Sequence, residues 1–473
     1  MAAQGLCGNG MMIIDENLTA ADLSHRLAAF WPVSEAKIRG LCQDYDPAAG
    51  SPVFTVQGRY TSKGWTEWTQ GFQYGWAILQ FDATGDEEFL RLGRDGTLRH
   101  MASHVSHIGV HDHGFNNVST YGNLRRLMLE GRLPLDEWEL AFYEMALKAS
   151  GAVQAARWTR TFEGGGFIHS FNGPQSLFSD TIRSVRALSL AHLLDHHLMG
   201  ENDESISLLG RGLEHARTTA AYNIFYGEGR DIYDVWGRVA HESVFNTNDG
   251  RFRTSSTQQG YSAFSTWTRG LAWVMSGYAE ELEFLETLPD HDLEPFGGRA
   301  EVEAFMLKSA RASCDFYLDS SPTDGIPYWD TGAPGLVRLG DPGAAPADPY
   351  NPYEPVDSSS AAIGAQGLLR LGRYLTRRGD ESGSRYTAAG LGVVGRLLEE
   401  PYLSTDPEHQ GLLLHGVYHR PRGWDYCPDA DGVPRGEAVM WGDYHLVESA
   451  LMVQRMLDDS PYYTFFGPSG VPK

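Results

Sequence analysis

Apolar residues recur every three to four positions along most of this chain, whereas the two-residue alternation of a half-buried strand is rare. This pattern predicts an all-α protein. Twelve segments carry the helical period: residues 20–43, 70–83, 87–103, 116–130, 135–157, 181–199, 204–220, 269–288, 301–318, 360–377, 383–398 and 442–457.

The connections between these helices alternate between long and short. The long ones, at 160–179, 222–266, 320–357 and 403–441, are polar or rich in Gly and Pro. Twelve helices joined in this way suit pairs that close into a ring, the (α/α)6 barrel, with the long loops on one face. Residues 320–357 also fit an interdomain linker. We prefer an ordered loop, because the helices after it are too few to enclose a core. The prediction is a single domain, 1–473, with residues 1–17 as an N-terminal extension.

Composition narrows the class of protein. A formal net charge of −23 argues against nonspecific binding to nucleic acid or to an anionic membrane. No run approaches the ~18 apolar residues of a membrane helix, and the first residues do not resemble a signal peptide. Four widely separated cysteines, Cys7, Cys42, Cys314 and Cys427, indicate free thiols in a reducing compartment. We therefore expect a cytoplasmic protein.

Two aspartates stand where loops enter predicted helices: Asp112 in VHDHGFNN and Asp180 in SLFSDTIRSVRAL. Aspartate is a common N-cap, so each position also fits a structural role. If the two carboxylates converge on the face with the long loops, burial and mutual repulsion raise one pKa and make that group a proton donor.

The segment QQGYSAFSTWTRGLAW brings Arg269 and Trp273 onto one helix face, four residues apart. A guanidinium suits a substrate carboxylate and an indole suits a sugar ring. Pairing of Arg269 with a structural aspartate fits equally well. The histidines at 104, 107, 111 and 113 match no zinc spacing, and no nucleotide fingerprint occurs, so we expect no metal and no cofactor.

The order of the motifs is more specific than any one of them. WTQGFQYGW, FDATGDEEFL, HDHGF, DT, QGYSAFSTWTRGLAW, DSSSAAIGAQGLLRL, HGVYHRPRG and AVMWGDYHLVESAL follow one another from Trp68 onward. This series resembles the unsaturated glucuronyl hydrolases of glycoside hydrolase family 88 and the related unsaturated rhamnogalacturonyl hydrolases.

The resemblance implies an (α/α)6 barrel that hydrates a C4=C5-unsaturated uronic acid and thereby releases the adjacent sugar. It implies that Asp180 is the general acid/base and Asp112 the assisting carboxylate. The implied partners are unsaturated uronide oligosaccharides from polysaccharide lyases. Implied substrate-binding residues are Trp68 (with Trp65 as an alternative), His111, Phe171, His241, Gln259, Arg269 and Trp273.

Three positions depart from the family pattern. Leu271 replaces a glutamine in RGQAW, His113 replaces an aliphatic residue in HDxGF, and Phe171 replaces a tryptophan before the acid. His113 is expected to add a hydrogen bond or a proton. Because of these departures, the sequence does not identify the parent polysaccharide or the leaving sugar. It does not identify the oligomeric state either. The alternatives are a conventional glycosidase, a polysaccharide lyase, or a catalytically silent sugar-binding protein.

Overall fold

The computed structural model describes residues 12–64 and 67–467, and α-helices make up most of its regular structure. They are α1 (Ser24–Asp44), α2 (Gln70–Thr84), α3 (Glu87–His100), α4 (Ala102–Val105), α5 (His113–Asn117), α6 (Asn123–Leu129), α7 (Glu137–Ala155), α8 (Thr181–Ser184), α9 (Arg186–Leu193), α10 (Leu208–Tyr222), α11 (Thr268–Leu285), α12 (Asp290–Leu293), α13 (Arg299–Ser320), α14 (Ser358–Arg377), α15 (Gly383–Leu397) and α16 (Met440–Leu457). A π-helical turn, Val118–Gly122, joins α5 to α6.

Short antiparallel strands occupy the connections. They are β1 (Phe54–Val56), β2 (Arg59–Thr61), β3 (Trp158–Arg160), β4 (Gly166–Ile168), β5 (Ser176–Phe178), β6 (His197–Met199), β7 (Ser205–Ser207), β8 (Glu242–Phe245) and β9 (Phe252–Ser256). β1–β2, β3–β4 and β6–β7 are two-stranded pairs, and β5, β8 and β9 form a three-stranded sheet in the order β5-β8-β9.

The helices form two concentric rings. The inner ring contains α2, α5–α6, α8–α9, α11, α14 and α16, and each of these units packs against the next. The ring closes because α16, near the end of the chain, packs against α2. The outer ring contains α1, α3, α7, α10, α13 and α15, which alternate with the inner helices along the chain. This arrangement confirms the predicted all-α (α/α)6 barrel.

Burial explains why these helices take inner positions. Every residue of α11 is buried, as expected for a helix that is surrounded on all sides. Glycines let the inner helices approach closely. A Cβ added at Gly114 in α5 would lie 2.1 Å from the backbone oxygen of Ser184 at the end of α8. A Cβ at Gly367 in α14 would lie 2.7 Å from Cβ of Met275 in α11. The ring spacing therefore depends on these small residues.

Each of the twelve predicted helices has a counterpart, and the largest error lies at 181–199. The helix there is divided into α8 and α9 and ends at Leu193, whereas His197–Met199 forms strand β6. Asp195 adopts a left-handed conformation with φ of 58°, which terminates a helix. The chain then turns so that β6 can pair with β7.

The segment between α13 and α14 is held by specific contacts. The indole nitrogen of Trp329 donates to Oε2 of Glu354 at 2.8 Å, and Oδ2 of Asp330 accepts from the backbone nitrogen of Tyr261 at 2.8 Å. At the start of the described chain, the backbone nitrogen of Met12 donates to Leu318 O at 2.9 Å. The single-domain organisation stays a prediction, and residues 1–11 of the predicted extension lie outside the described residues.

Two further expectations concern the described part of the chain. Among the helices of residues 12–64 and 67–467, none combines the length and the hydropathy of a membrane span. Cys42, Cys314 and Cys427 are free thiols, and Cys7 falls outside the described residues.

Candidate active site

A cavity of about 520 Å³ opens on the face where outer helices connect to inner ones. Five of these six connections contribute to its wall, so residues far apart in the sequence meet at the N-terminal ends of the inner helices. Those ends carry partial positive charge, which favours an anionic ligand despite the net charge of −23. The lining residues are Glu67, Trp68, His107, Gly109, Val110, His111, Asp112, Phe115, Phe171, Asp180, Gln258, Gln259, Trp267, Arg269, Trp273, Tyr418, His419, Arg422 and Trp424.

The two predicted catalytic aspartates both line this cavity. Asp112 immediately precedes α5 and Asp180 immediately precedes α8, which are the positions of N-cap residues. Neither side chain makes a capping hydrogen bond. Each residue is only 7% exposed. The cap interpretation therefore does not account for either carboxylate, and both are available to a ligand.

His111 connects the two carboxylates. Its Nε2 lies 3.3 Å from Oδ1 of Asp180 and 3.6 Å from Oδ1 of Asp112. Burial lowers the pKa of His111, but the two carboxylates outweigh it and the net shift is upward. Burial raises the pKa of Asp112. For Asp180 the effect of burial is outweighed by the His111 hydrogen bond and by nearby positive charge, so its pKa is lowered. Asp180 is therefore the more acidic of the two carboxyl groups.

His241 lies behind the cavity wall, with its ring 4.7 Å from that of Trp267. Its Nδ1 accepts from the backbone nitrogen of Gln258 at 3.0 Å and faces that of Gln259 at 3.4 Å. Burial lowers the pKa of His241 to about 4, so the ring is neutral and its proton is on Nε2. This Nε2–H has no hydrogen-bond partner among the described residues. It is a buried donor, and His241 is not among the residues that line the cavity.

Arg269 is fully engaged by the protein at both terminal nitrogens. Nη1 donates to Oδ2 of Asp357 at 3.1 Å and to Val417 O, and Nη2 donates to Tyr418 O at 2.7 Å and to Oε1 of Gln259 at 2.9 Å. Four acceptors match the four N–H groups of Nη1 and Nη2. The geometry therefore favours the structural pairing over the carboxylate clamp. It also fixes Gln259 so that its amide NH₂ remains as the donor.

Aromatic side chains enclose the rest of the cavity. Trp68 stacks on Trp441 at 4.9 Å, and Trp273 packs at 4.6 Å against Phe115. Phe171, 41% exposed, lies at the mouth with its ring parallel to His111 at 6.0 Å. Trp65, the alternative to Trp68, lies outside the described residues.

Sequence analysis did not identify the contribution of the HGVYHRPRG loop to the lining. Tyr418 and His419 line the cavity because Asp425 accepts hydrogen bonds from both of their backbone nitrogens. His419 is buried, and neither ring nitrogen has a partner among the described residues. Its ring lies 4.9 Å from Trp424. The aromatic residues of this motif were the signal in the sequence that could have identified it.

Two of the residues that depart from the family pattern, Leu271 and His113, lie in the protein interior. Leu271 is fully buried in α11 and does not line the cavity. His113 donates from Nε2 to His107 O at 2.9 Å and accepts at Nδ1 from Ser150 at 2.9 Å. Burial lowers the pKa of His113 to about 4, so it adds hydrogen bonds but no charge. Within residues 12–64 and 67–467, no three His, Cys, Asp or Glu side chains are placed to hold a metal ion.

Comparison with known proteins gives relatives that span most of the chain. No family model matches it. The unsaturated glucuronyl hydrolase of Bacillus sp. (strain GL1) is 25% identical over 403 residues, which is 84% of this chain and 89% of that protein. The unsaturated chondroitin disaccharide hydrolase of Streptococcus pyogenes serotype M1 is 24% identical and covers 86% of each chain.

Solved structures share the barrel. A crystal structure of an unsaturated glucuronyl hydrolase specific for heparin matches with a TM-score of 0.69 and 19% identity, over 92% of this chain and 98% of that one. The Bacillus sp. GL1 enzyme matches with a TM-score of 0.68 and 21% identity, over 94% of this chain and 100% of that one. Together with the motif order, these similarities identify the chain as a glycoside hydrolase that is similar to the unsaturated glucuronyl hydrolases over most of its length.

Proposed function

We propose that this chain hydrates the C4=C5 double bond of a nonreducing-end unsaturated uronic acid and so releases the adjacent sugar. The observation that carries the proposal is the position of His111 between Asp112 and Asp180 inside an aromatic cavity. Hydration of an enol ether requires an acid at one carbon and a base that activates water at the other. Two carboxylates that share one imidazolium satisfy both requirements.

Asp180 is the proposed general acid and base. Its carboxyl proton goes to C4 as the π electrons form the new C–H bond, and the ring oxygen shares the positive charge that develops at C5. The Asp180 carboxylate then takes a proton from the water that attacks C5, which gives a hemiketal. The C5–O ring bond breaks to leave a ketone, and the C1 hemiacetal expels the adjacent sugar as an alcohol.

Asp180 must gain a proton before this sequence starts, because its pKa is lowered by His111 and nearby positive charge. Entry of an anionic uronate and exclusion of water both raise the pKa of a buried carboxyl group. Protonated His111, 3.3 Å from Oδ1, is the proposed source of the proton. Asp112 is proposed to assist by balancing the charge of His111 and holding its ring.

Substrate recognition is proposed to rest on fixed neutral donors and aromatic faces. The amide NH₂ of Gln259 lines the cavity and is proposed to donate to the uronate. His241 is proposed to contribute to substrate binding from behind the wall, by holding the backbone of Gln258 and Gln259. Trp68 and Trp273 are proposed to hold the sugar rings. Arg269 is proposed to position the side chain of Gln259 and not to contact the substrate itself, because its hydrogen bonds go to the protein.

The proposed substrates are unsaturated oligosaccharides made by polysaccharide lyases, and the proposed site of action is the cytoplasm. The heparin and chondroitin named for the relatives make glycosaminoglycan disaccharides the first to test. Purified protein is mixed with unsaturated disaccharides from glycosaminoglycan, pectin and ulvan, and with a saturated uronide. We expect loss of the enol absorbance and release of one sugar per double bond consumed. Cleavage of the saturated uronide alone would instead indicate a conventional glycosidase.

A further inference from the structure

The outer helix α7 keeps a large apolar face in solvent. Trp138, Phe142 and Met145, at spacing i, i+4 and i+7, are 87%, 47% and 64% exposed. Leu135, just before the helix, and Leu129, at the end of neighbouring α6, are exposed as well. Single exposed apolar residues are ordinary, but five bulky ones on one surface mark an interaction site. We call these five residues the α7 face.

The size of the α7 face is close to what a specific interface needs. At about 150–250 Å² for each aromatic side chain, its exposed apolar surface is on the order of 500 Å². A stable interface buries about 800 Å² on each partner, which includes a polar rim. The polar residues that flank α7 make up the difference, so the α7 face can form the centre of a protein–protein contact.

We propose that the α7 face pairs with the same face of a second copy of this chain, with the two α7 helices antiparallel about a two-fold axis. The axis passes near Ala141, which is exposed and small enough to let the two backbones approach. Trp138 of one copy then lies opposite Met145 of the other. The face is thus self-complementary, as an isologous interface requires.

Charge supports this pairing. Glu137 and Lys148 lie on the same flank of α7, eleven residues and about three helical turns apart. In the antiparallel arrangement, Glu137 of each copy comes next to Lys148 of the other. Neither side chain forms an ion pair within the described chain, so both are available. These two pairs offset part of the repulsion between copies that each carry a charge of −23.

Sedimentation equilibrium over a range of protein concentrations tests the proposal. We expect a dimer for the natural protein and at least a tenfold rise in Kd for Trp138→Ser. Lys148→Glu and Glu137→Lys should each weaken the dimer, and the double variant should restore it. Glu381→Lys, on an exposed site remote from α7, is the control for charge alone. Circular dichroism checks that every variant is folded. A monomer at all concentrations, or a Kd unchanged by Trp138→Ser, overturns the proposal.

A crosslink tests the register independently. Ala141→Cys is introduced together with Cys42→Ser, which removes an exposed thiol. Mild oxidation should produce a disulfide-linked dimer, because the two new thiols face each other near the axis. Ser384→Cys, on the exposed side of α15, should remain unlinked. Linking through Ser384→Cys but not through Ala141→Cys would contradict the antiparallel α7 contact.

Discussion

Nε2 of His111 lies 3.3 Å from Oδ1 of Asp180, and the same nitrogen lies 3.6 Å from Oδ1 of Asp112. One ring nitrogen therefore faces two carboxylates, and the protonation of each of the three groups affects that of the other two. The carboxylates favour the protonated form of His111 next to the proposed acid, and both aspartates line the cavity.

The pH dependence of catalysis tests this relationship. Because the carboxylates raise the pKa of His111, the imidazolium persists below that pKa and is lost as the pH rises through it. We expect kcat/KM to fall over the same range, since the proton supplied to Asp180 disappears. His111→Gln should lower kcat by about 10²–10⁴ and remove the alkaline limb of the profile. His113→Gln, which changes an uncharged neighbour, should keep that limb. An alkaline limb that persists in the His111→Gln variant would contradict the role of His111 as the proton source.

Removal of Arg269 distinguishes positioning from direct substrate contact. Arg269→Ala leaves Asp357 buried without its partner, which is expected to cost about 3–5 kcal/mol of unfolding free energy in urea. Gln259→Ala should cost less, about 1–3 kcal/mol, because it leaves one N–H group of buried Arg269 unpaired. It should nevertheless reduce kcat/KM at least tenfold, because a donor to the substrate is lost. A stable Arg269→Ala protein with only a raised KM would instead support a carboxylate clamp.

Local patterns predicted the helices and the residues that neighbour each other in the chain. Arg269 and Trp273 share a helix face because they are four residues apart, and both line the cavity. The pairing of Arg269 with Asp357 joins residues 88 positions apart and depends on how α11 packs against the start of α14. Strand β6 was missed because the helical period continues past Leu193, whereas the left-handed Asp195 and the pairing with β7 are tertiary effects.

Glu281, buried in α11, predicts a pH-dependent stability. Burial raises its pKa to about 7, and its side chain accepts hydrogen bonds from Ser189. A raised folded-state pKa favours folding below the unfolded pKa, and this stability is lost as the pH rises toward 7. Glu281→Gln should therefore stabilise the protein at pH 8, by up to about 3 kcal/mol, and have little effect at pH 4. Urea unfolding at the two pH values measures the difference, and exposed Glu381→Gln is the control. Equal effects at both pH values would contradict the raised pKa.

The central claim is that Asp180 and Asp112 hydrate the unsaturated uronate. The most direct measurement follows the ultraviolet absorbance of the enol with an unsaturated disaccharide, for the natural protein and for Asp180→Asn and Asp112→Asn. We expect the absorbance to disappear with the natural protein and the rate to fall by about 10²–10⁴ in each variant. Urea unfolding checks that both variants remain folded: Asp112→Asn should not destabilise the protein, whereas Asp180→Asn should lower its stability, because the charged contact with His111 is lost. Release of sugar with the absorbance intact, or near-normal turnover by Asp180→Asn, would contradict the account.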